Sequence, residues 1–104
     1  MKYWLIIAAA AFATVLFVAP VQAQDGKTLY NQKGCPACHG PDGSTALQPN
    51  YPKLAGQNAP YLLQQMKDIK SGARANGLTA VMKPMVAAVS EAEMQKIAEW
   101  LSQQ

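Results

Sequence analysis

Both cysteines and the only histidine of this 104-residue chain fall within Cys35-Pro36-Ala37-Cys38-His39. Two thiols with two residues between them, and an imidazole directly after the second, match a haem attachment spacing. From that stretch both thiols reach the two vinyl groups of one porphyrin, and the imidazole reaches its iron. Other chemistries use the same residue types but ask for more of them. A structural zinc site needs four ligands, so Cys35, Cys38 and His39 would require an acidic fourth. A thioredoxin-like pair needs a preceding strand in a βαβ setting, and no segment here alternates as a strand. A copper(I) carrier using thiolates and methionines is chemically feasible, but it leaves the long loops described below without a purpose. The motif therefore points to one covalently bound haem c.

The far side of such an iron needs a second ligand or stays open. A second histidine is unavailable, which leaves methionine sulfur as the natural donor, and His/Met ligation raises the reduction potential. Past residue 23 the methionines are Met66, Met82, Met85 and Met94. Met66 and Met94 sit at helical spacing within apolar stripes and read as core filling. Met82 and Met85 bracket Lys83-Pro84 in a loop able to close over a haem. Spacing alone does not separate them.

Three helices can be placed to hold these groups. The first runs from about Asp25, its N-cap, to Lys33, with Gly34 as the stop. The second spans about Ala59 to Ser71, with Asn58 as cap, Pro60 in the first turn and Gly72 at the end. Leu62, Leu63, Met66 and Ile69 form its apolar stripe. The third opens on a capping box, Ser90 to Glu93, and continues with Met94, Ile97, Ala98 and Leu101 on one face, Trp100 beside them. Tyr30 of the first helix is expected against Trp100 or Ile97 of the last. Residues 40–58 and 72–89 read as irregular because of their glycines and prolines. Loops that long in a small domain make sense if they wrap a large apolar ligand.

The chain opens with an export address. Lys2 precedes an apolar run from Leu5 to Ala19, broken only by Thr14, then Pro20 and a Val21-Gln22-Ala23 cleavage site. A run of fifteen residues falls short of the ~20 that span a bilayer, so residues 1–23 read as a cleaved secretory signal and 24–104 as the domain. An uncleaved anchor through residues 5–19 is the alternative. Cleavage removes one charge, Lys2, and lowers the net charge from +3 to +2. The remaining lysines are spread singly and read mostly as solvated surface. With no basic run and no clustered arginine, nucleic-acid binding is excluded. A domain of roughly 80 residues is marginal on hydrophobic burial alone. Two cysteines so close together cannot staple a long loop, so a cofactor must complete the core.

The order of parts resembles a class I c-type cytochrome: short helix, attachment motif, wrapping loop, helix, methionine loop, terminal helix. It is most similar to one half of the small dihaem periplasmic cytochromes and to their monohaem relatives. Beyond the motif, the shared phrases are Asn50 to Gln57, Tyr61-Leu62 and Gly72-Ala73-Arg74. In that group six residues separate the ligand methionine from the apolar-Ser-acidic start of the last helix. Lys83 to Ala88 are those six, which implies Met82 as the axial ligand. The resemblance also implies an all-α fold of three to five short helices around one haem. Cys35, Cys38, His39 and Met82 would then be the cofactor-binding residues, with His39 and Met82 on the metal. A backbone carbonyl between Pro49 and Pro52 would receive the second His39 nitrogen, and Arg74, Tyr51 and Trp100 are candidate neighbours of the haem edge. For Tyr51 and Trp100 core packing is the plainer reading. This chain has one attachment motif, so transfer between two haems within it is unavailable.

The expected function is that of a periplasmic, monomeric electron carrier and not an enzyme, meeting redox partners transiently at the haem edge. The alternatives are a haem-based ligand sensor and an electron-transfer subunit of a larger complex.

Overall fold

The computed structural model describes residues 9–16 and 24–104. Residues 1–8 and 17–23, with most of the expected export signal and its cleavage site at Ala23, lie outside the described residues. Five helices make up the regular structure of the described residues: α1 (Gly26–Gln32), α2 (Pro36–His39), α3 (Ala59–Ser71), α4 (Thr79–Val86) and α5 (Glu91–Ser102). None of them is long and apolar enough to cross a membrane.

Local chemistry sets most of the helix ends. The Asp25 carboxylate accepts from the Thr28 N–H at 2.7 Å and starts α1. Asn58 does the same for α3 through the Tyr61 N–H at 3.3 Å, and Gly72 closes that helix in the left-handed region at φ 87°. At α5 the Ser90 hydroxyl accepts from the Glu93 N–H at 3.1 Å, while the Glu93 carboxylate accepts from the Ser90 N–H at 3.0 Å. These are the two halves of the capping box. Each side-chain acceptor satisfies a backbone donor that the helix itself leaves unpaired.

The faces anticipated from periodicity meet in the core. Leu29, Tyr30, Leu62, Ile69, Met94, Ile97, Ala98 and Leu101 are buried together with Val86 and Val89. Helix α5 packs against both α1 and α3, and α4 packs against α3. The α1–α5 crossing is close because of Gly26: a Cβ there would lie 2.6 Å from Trp100 Cβ and would also collide with the Lys96 carbonyl. That approach seats Tyr30 against Trp100, ring centroids 5.1 Å apart at 45°.

Residues 40–58 contain no helix, as their composition suggests, and are tied down through backbone bonds. The Leu47 N–H donates to Cys38 O at 2.9 Å, Leu54 and Ala55 to Gly43 O at 2.9 and 3.1 Å, and Gly56 to Leu101 O at 3.0 Å. The loop is thereby fastened both to the cysteine motif and to the end of α5.

The second loose stretch requires a correction. Within residues 72–89, Thr79–Val86 forms α4 in spite of Pro84. Proline lacks the N–H that would reach the Ala80 carbonyl, and in a helix this short the loss is a single bond. Thr79 and Val86, both buried, together with packing on α3, hold the segment helical. The methionines accordingly lie on a helix and not on an irregular loop.

Candidate haem site

Pro36 occupies the first turn of α2, where its fixed φ suits a helix and its missing N–H costs nothing. The single turn it starts places Cys35, Cys38 and His39 at positions i, i+3 and i+4, which share one helix face. Gly40 then breaks the helix with φ 82°. Tyr30, fully buried, donates its hydroxyl to the Gly40 carbonyl at 2.5 Å and so fixes the chain directly after His39.

All three motif side chains line a cleft of about 380 Å³, inside the ~300–1,000 Å³ range of small-molecule sites. Leu62, Met66 and Ile69 of α3 also line it, together with Leu78, Met82 and Met85 of the α4 segment. The motif also lines a hollow of about 30 Å³, shared with Gly34, Met66, Met82, Met85, Val86 and Val89, among others. The lining is thus mainly apolar, with Arg74, half-buried and donating to Gln65 Oε1 at 3.1 Å, as its charged member.

His39 is 8% exposed. Burial pushes its imidazole below the ordinary histidine value, with the Pro52 carbonyl acting in the opposite sense. The neutral ring is the form that offers a lone pair to a metal. Its Nδ1 is buried with no hydrogen-bond partner. A buried, neutral imidazole in an apolar cleft beside two unpaired cysteines fits haem, which asks for an iron ligand, two thiols and a dry wall. It fits two of the rival chemistries less well. Burial pushes the Cys35 thiol up, opposite to the lowered value of a redox-active thiolate. Among the described residues no three His, Cys, Asp or Glu side chains converge on a common metal position, where structural zinc asks for four ligands.

A family model described as Cytochrome c matches residues 23–104. The chain belongs to the cytochrome c family. Haem c is the cofactor that membership implies, and Cys35-Pro36-Ala37-Cys38-His39 is its attachment motif. The cytochrome c-554(548) of Halomonas halodenitrificans is 43% identical over 70 residues, covering 67% of this chain and 83% of that protein. The thiosulfate dehydrogenase electron acceptor of Stutzerimonas stutzeri is 37% identical over 99 residues, 88% of this chain and 44% of that one. Among solved structures, reduced recombinant cytochrome c4 from Pseudomonas stutzeri superposes with a TM-score of 0.58 and 34% identity. That match covers 79% of this cytochrome and 46% of the solved chain. The cytochrome thus spans less than half the length of these last two relatives.

The structure brings Cys35, Cys38, His39, Met82 and Met85 to one cleft. It separates the two methionines by environment: Met82 is half-buried and packs on the core cluster, whereas Met85 is 41% exposed. Met94 is core at 1% exposure, as its spacing suggests. Met66 packs against the buried cluster, as its spacing suggests, and lines the cleft as well. Tyr51 departs from the core-packing reading, since it lines the cleft 6.3 Å from the His39 ring. A helical stripe shows which residues share a face, but not whether that face meets protein or ligand.

Tyr30 carries a pH dependence. Burial raises its phenol from 10.0 to about 12, because the phenolate loses its hydration. A group whose folded value is raised contributes stability in full below pH 10 and loses it as pH rises toward 12. At ~1.4 kcal/mol per pH unit the loss is on the order of 2–3 kcal/mol. Denaturant midpoints measured from pH 9 to 12 should fall more steeply for the parent than for Tyr30→Phe, which has no phenol to ionise.

Proposed function

We propose that this cytochrome is a one-electron carrier of the periplasm, with its haem bonded to Cys35 and Cys38 and its iron held between His39 and Met82. The observation that carries the reading is the cleft itself. His39 and Met82 line the same apolar space, one buried and neutral, the other half-buried. When bound, the haem supplies the Fe(III)/Fe(II) couple. The chain's own part is to hold two uncharged ligands, keep water from the iron and leave a rim open for contact. Because neither imidazole nor thioether needs to gain or lose a proton, the reorganisation asked of the protein is small.

A carrier that must bind and release its partners needs a small docking area, and transient redox encounters bury under ~1,200 Å² in total. A net charge of only +3 over the full chain, or +2 after the cut at Ala23, suits such short-lived contacts. Monomeric state, cleavage after Ala23 and a purely carrying, non-catalytic role belong to the same reading. Work as an electron-transfer part of a larger assembly is the second reading. It is favoured by the printed name of the Stutzerimonas relative, an acceptor of electrons from a dehydrogenase.

A ligand-sensing role would instead require an open iron. The purified holoprotein should show a low-spin, six-coordinate spectrum and take up carbon monoxide slowly or not at all at pH 7. Ready binding would sink the carrier reading. An intact mass equal to residues 24–104 plus one haem would establish the cut.

A further inference from the structure

Helix α4 carries Met82 and Met85 of the cleft, yet it supports itself poorly. Leu78 provides no side-chain cap, and Pro84 withholds an N–H from Ala80. Its position therefore depends on what holds its ends. At the C-terminal end it runs through Ala87–Val89 into the cap of α5, and two ammonium groups meet that joint.

Lys70, in the last turn of α3, donates from Nζ to the Val89 carbonyl at 2.7 Å in a partly buried bond. Lys33, at the end of α1, donates to the Ala88 carbonyl at the longer distance of 3.5 Å and pairs with Glu93 at 3.3 Å. Val89 is thereby held in three ways. Its side chain is 2% exposed, its N–H donates to the Val86 carbonyl at 3.0 Å, and its carbonyl accepts from Lys70. Bonds from a charged donor are shorter and stronger than neutral ones, and the Lys70 contact has that length. Lys70 is itself exposed, yet its ammonium turns onto a single carbonyl at the joint next to the cleft.

We infer that Lys70 is a positioning residue for the methionine ligand. Its ammonium ties the α4–α5 joint to α3 and so sets where α4 presents Met82 across the cleft from His39. This rests on Met82 being the axial ligand. Lys33 assists through the neighbouring carbonyl, but its longer contact and its pairing with Glu93 make it the weaker tie.

The test uses the holoprotein with Lys70→Met, which keeps the aliphatic stem and removes the donor, and with Lys70→Arg, which restores one. In Lys70→Met the ferrous protein should bind carbon monoxide about tenfold faster than the parent, equivalent to ~1.4 kcal/mol less hold on the sulfur. On heating, its far-red sulfur-to-iron band should vanish roughly 5–10 °C lower relative to its own loss of helix than in the parent. Lys70→Arg should lie near the parent in both. Carbon monoxide rates within about twofold of the parent overturn the inference. So does a band that falls together with the helix signal, or a variant that fails to fold, because either marks a merely structural lysine. Met82→Ala serves as the control. If the band survives there, the ligand assignment itself is wrong. If Met82→Ala loses the band while Lys70→Met leaves it unchanged, only the positioning role fails.

Discussion

Replacing both Cys35 and Cys38 by alanine should leave a chain with no covalently bound haem and no cooperative thermal unfolding. The first result follows from the motif, since no other cysteine is present. The second follows from the cleft. An empty cavity costs about 24 cal/mol per Å³, so a dry space of about 380 Å³ would cost on the order of 9 kcal/mol. A domain of this size has a total stability of ~4–12 kcal/mol. Water entering through the open mouth lowers the penalty, but it then wets the inner faces of Leu62, Met66 and Ile69. Either way the folded state loses most of its margin. Haem staining of a denaturing gel reads the first outcome, and circular dichroism on heating reads the second. A double variant with native helix content and a sharp transition would show that the protein core is sufficient without its cofactor.

Met82→Ala should remove the weak sulfur-to-iron band in the far red and open the ferrous iron to carbon monoxide. It should also lower the reduction potential by on the order of 0.1–0.3 V, a fraction of the ~0.8 V over which axial ligands tune haems. The direction follows from chemistry: thioether sulfur favours the reduced iron, and losing it favours the oxidised one. Met85→Ala should retain the band. Both sulfurs line the cleft, so lining does not distinguish them. Met82 packs on the buried cluster, and immobilising it costs little more. Met85, 41% exposed, rests its methyl group beside Gly34, 3.2 Å from where a Cβ would stand. Spectra and voltammetry of the two variants decide the matter. The reverse pattern would move the ligand to Met85 and leave the carrier function intact.

Much of this could be read from local chemistry, because local chemistry produces it. The caps at Asp25, Asn58 and Ser90 act within three residues of themselves, so their helices start where the sequence indicates. The attachment motif is equally local: one turn of helix puts Cys35, Cys38 and His39 on one face, whatever the rest of the chain does. The limits of the chemistry were legible too, since a chain with a single histidine cannot offer a second imidazole to the same iron.

Tertiary structure decided what depends on distant neighbours. Pro84 signals a broken helix in any local reading, and α4 forms because burial of Thr79 and Val86 against α3 outweighs one lost bond. Tyr51 looks like a core residue until the packing leaves a cleft on its side. The burial that keeps His39 neutral, and the turn of Lys70 onto Val89, are set by elements many residues away. Spacing along the chain determined which groups could share a haem. Only the packing of α3 and α4 determined which face each methionine shows to it, because a helical stripe has no knowledge of what fills the space opposite.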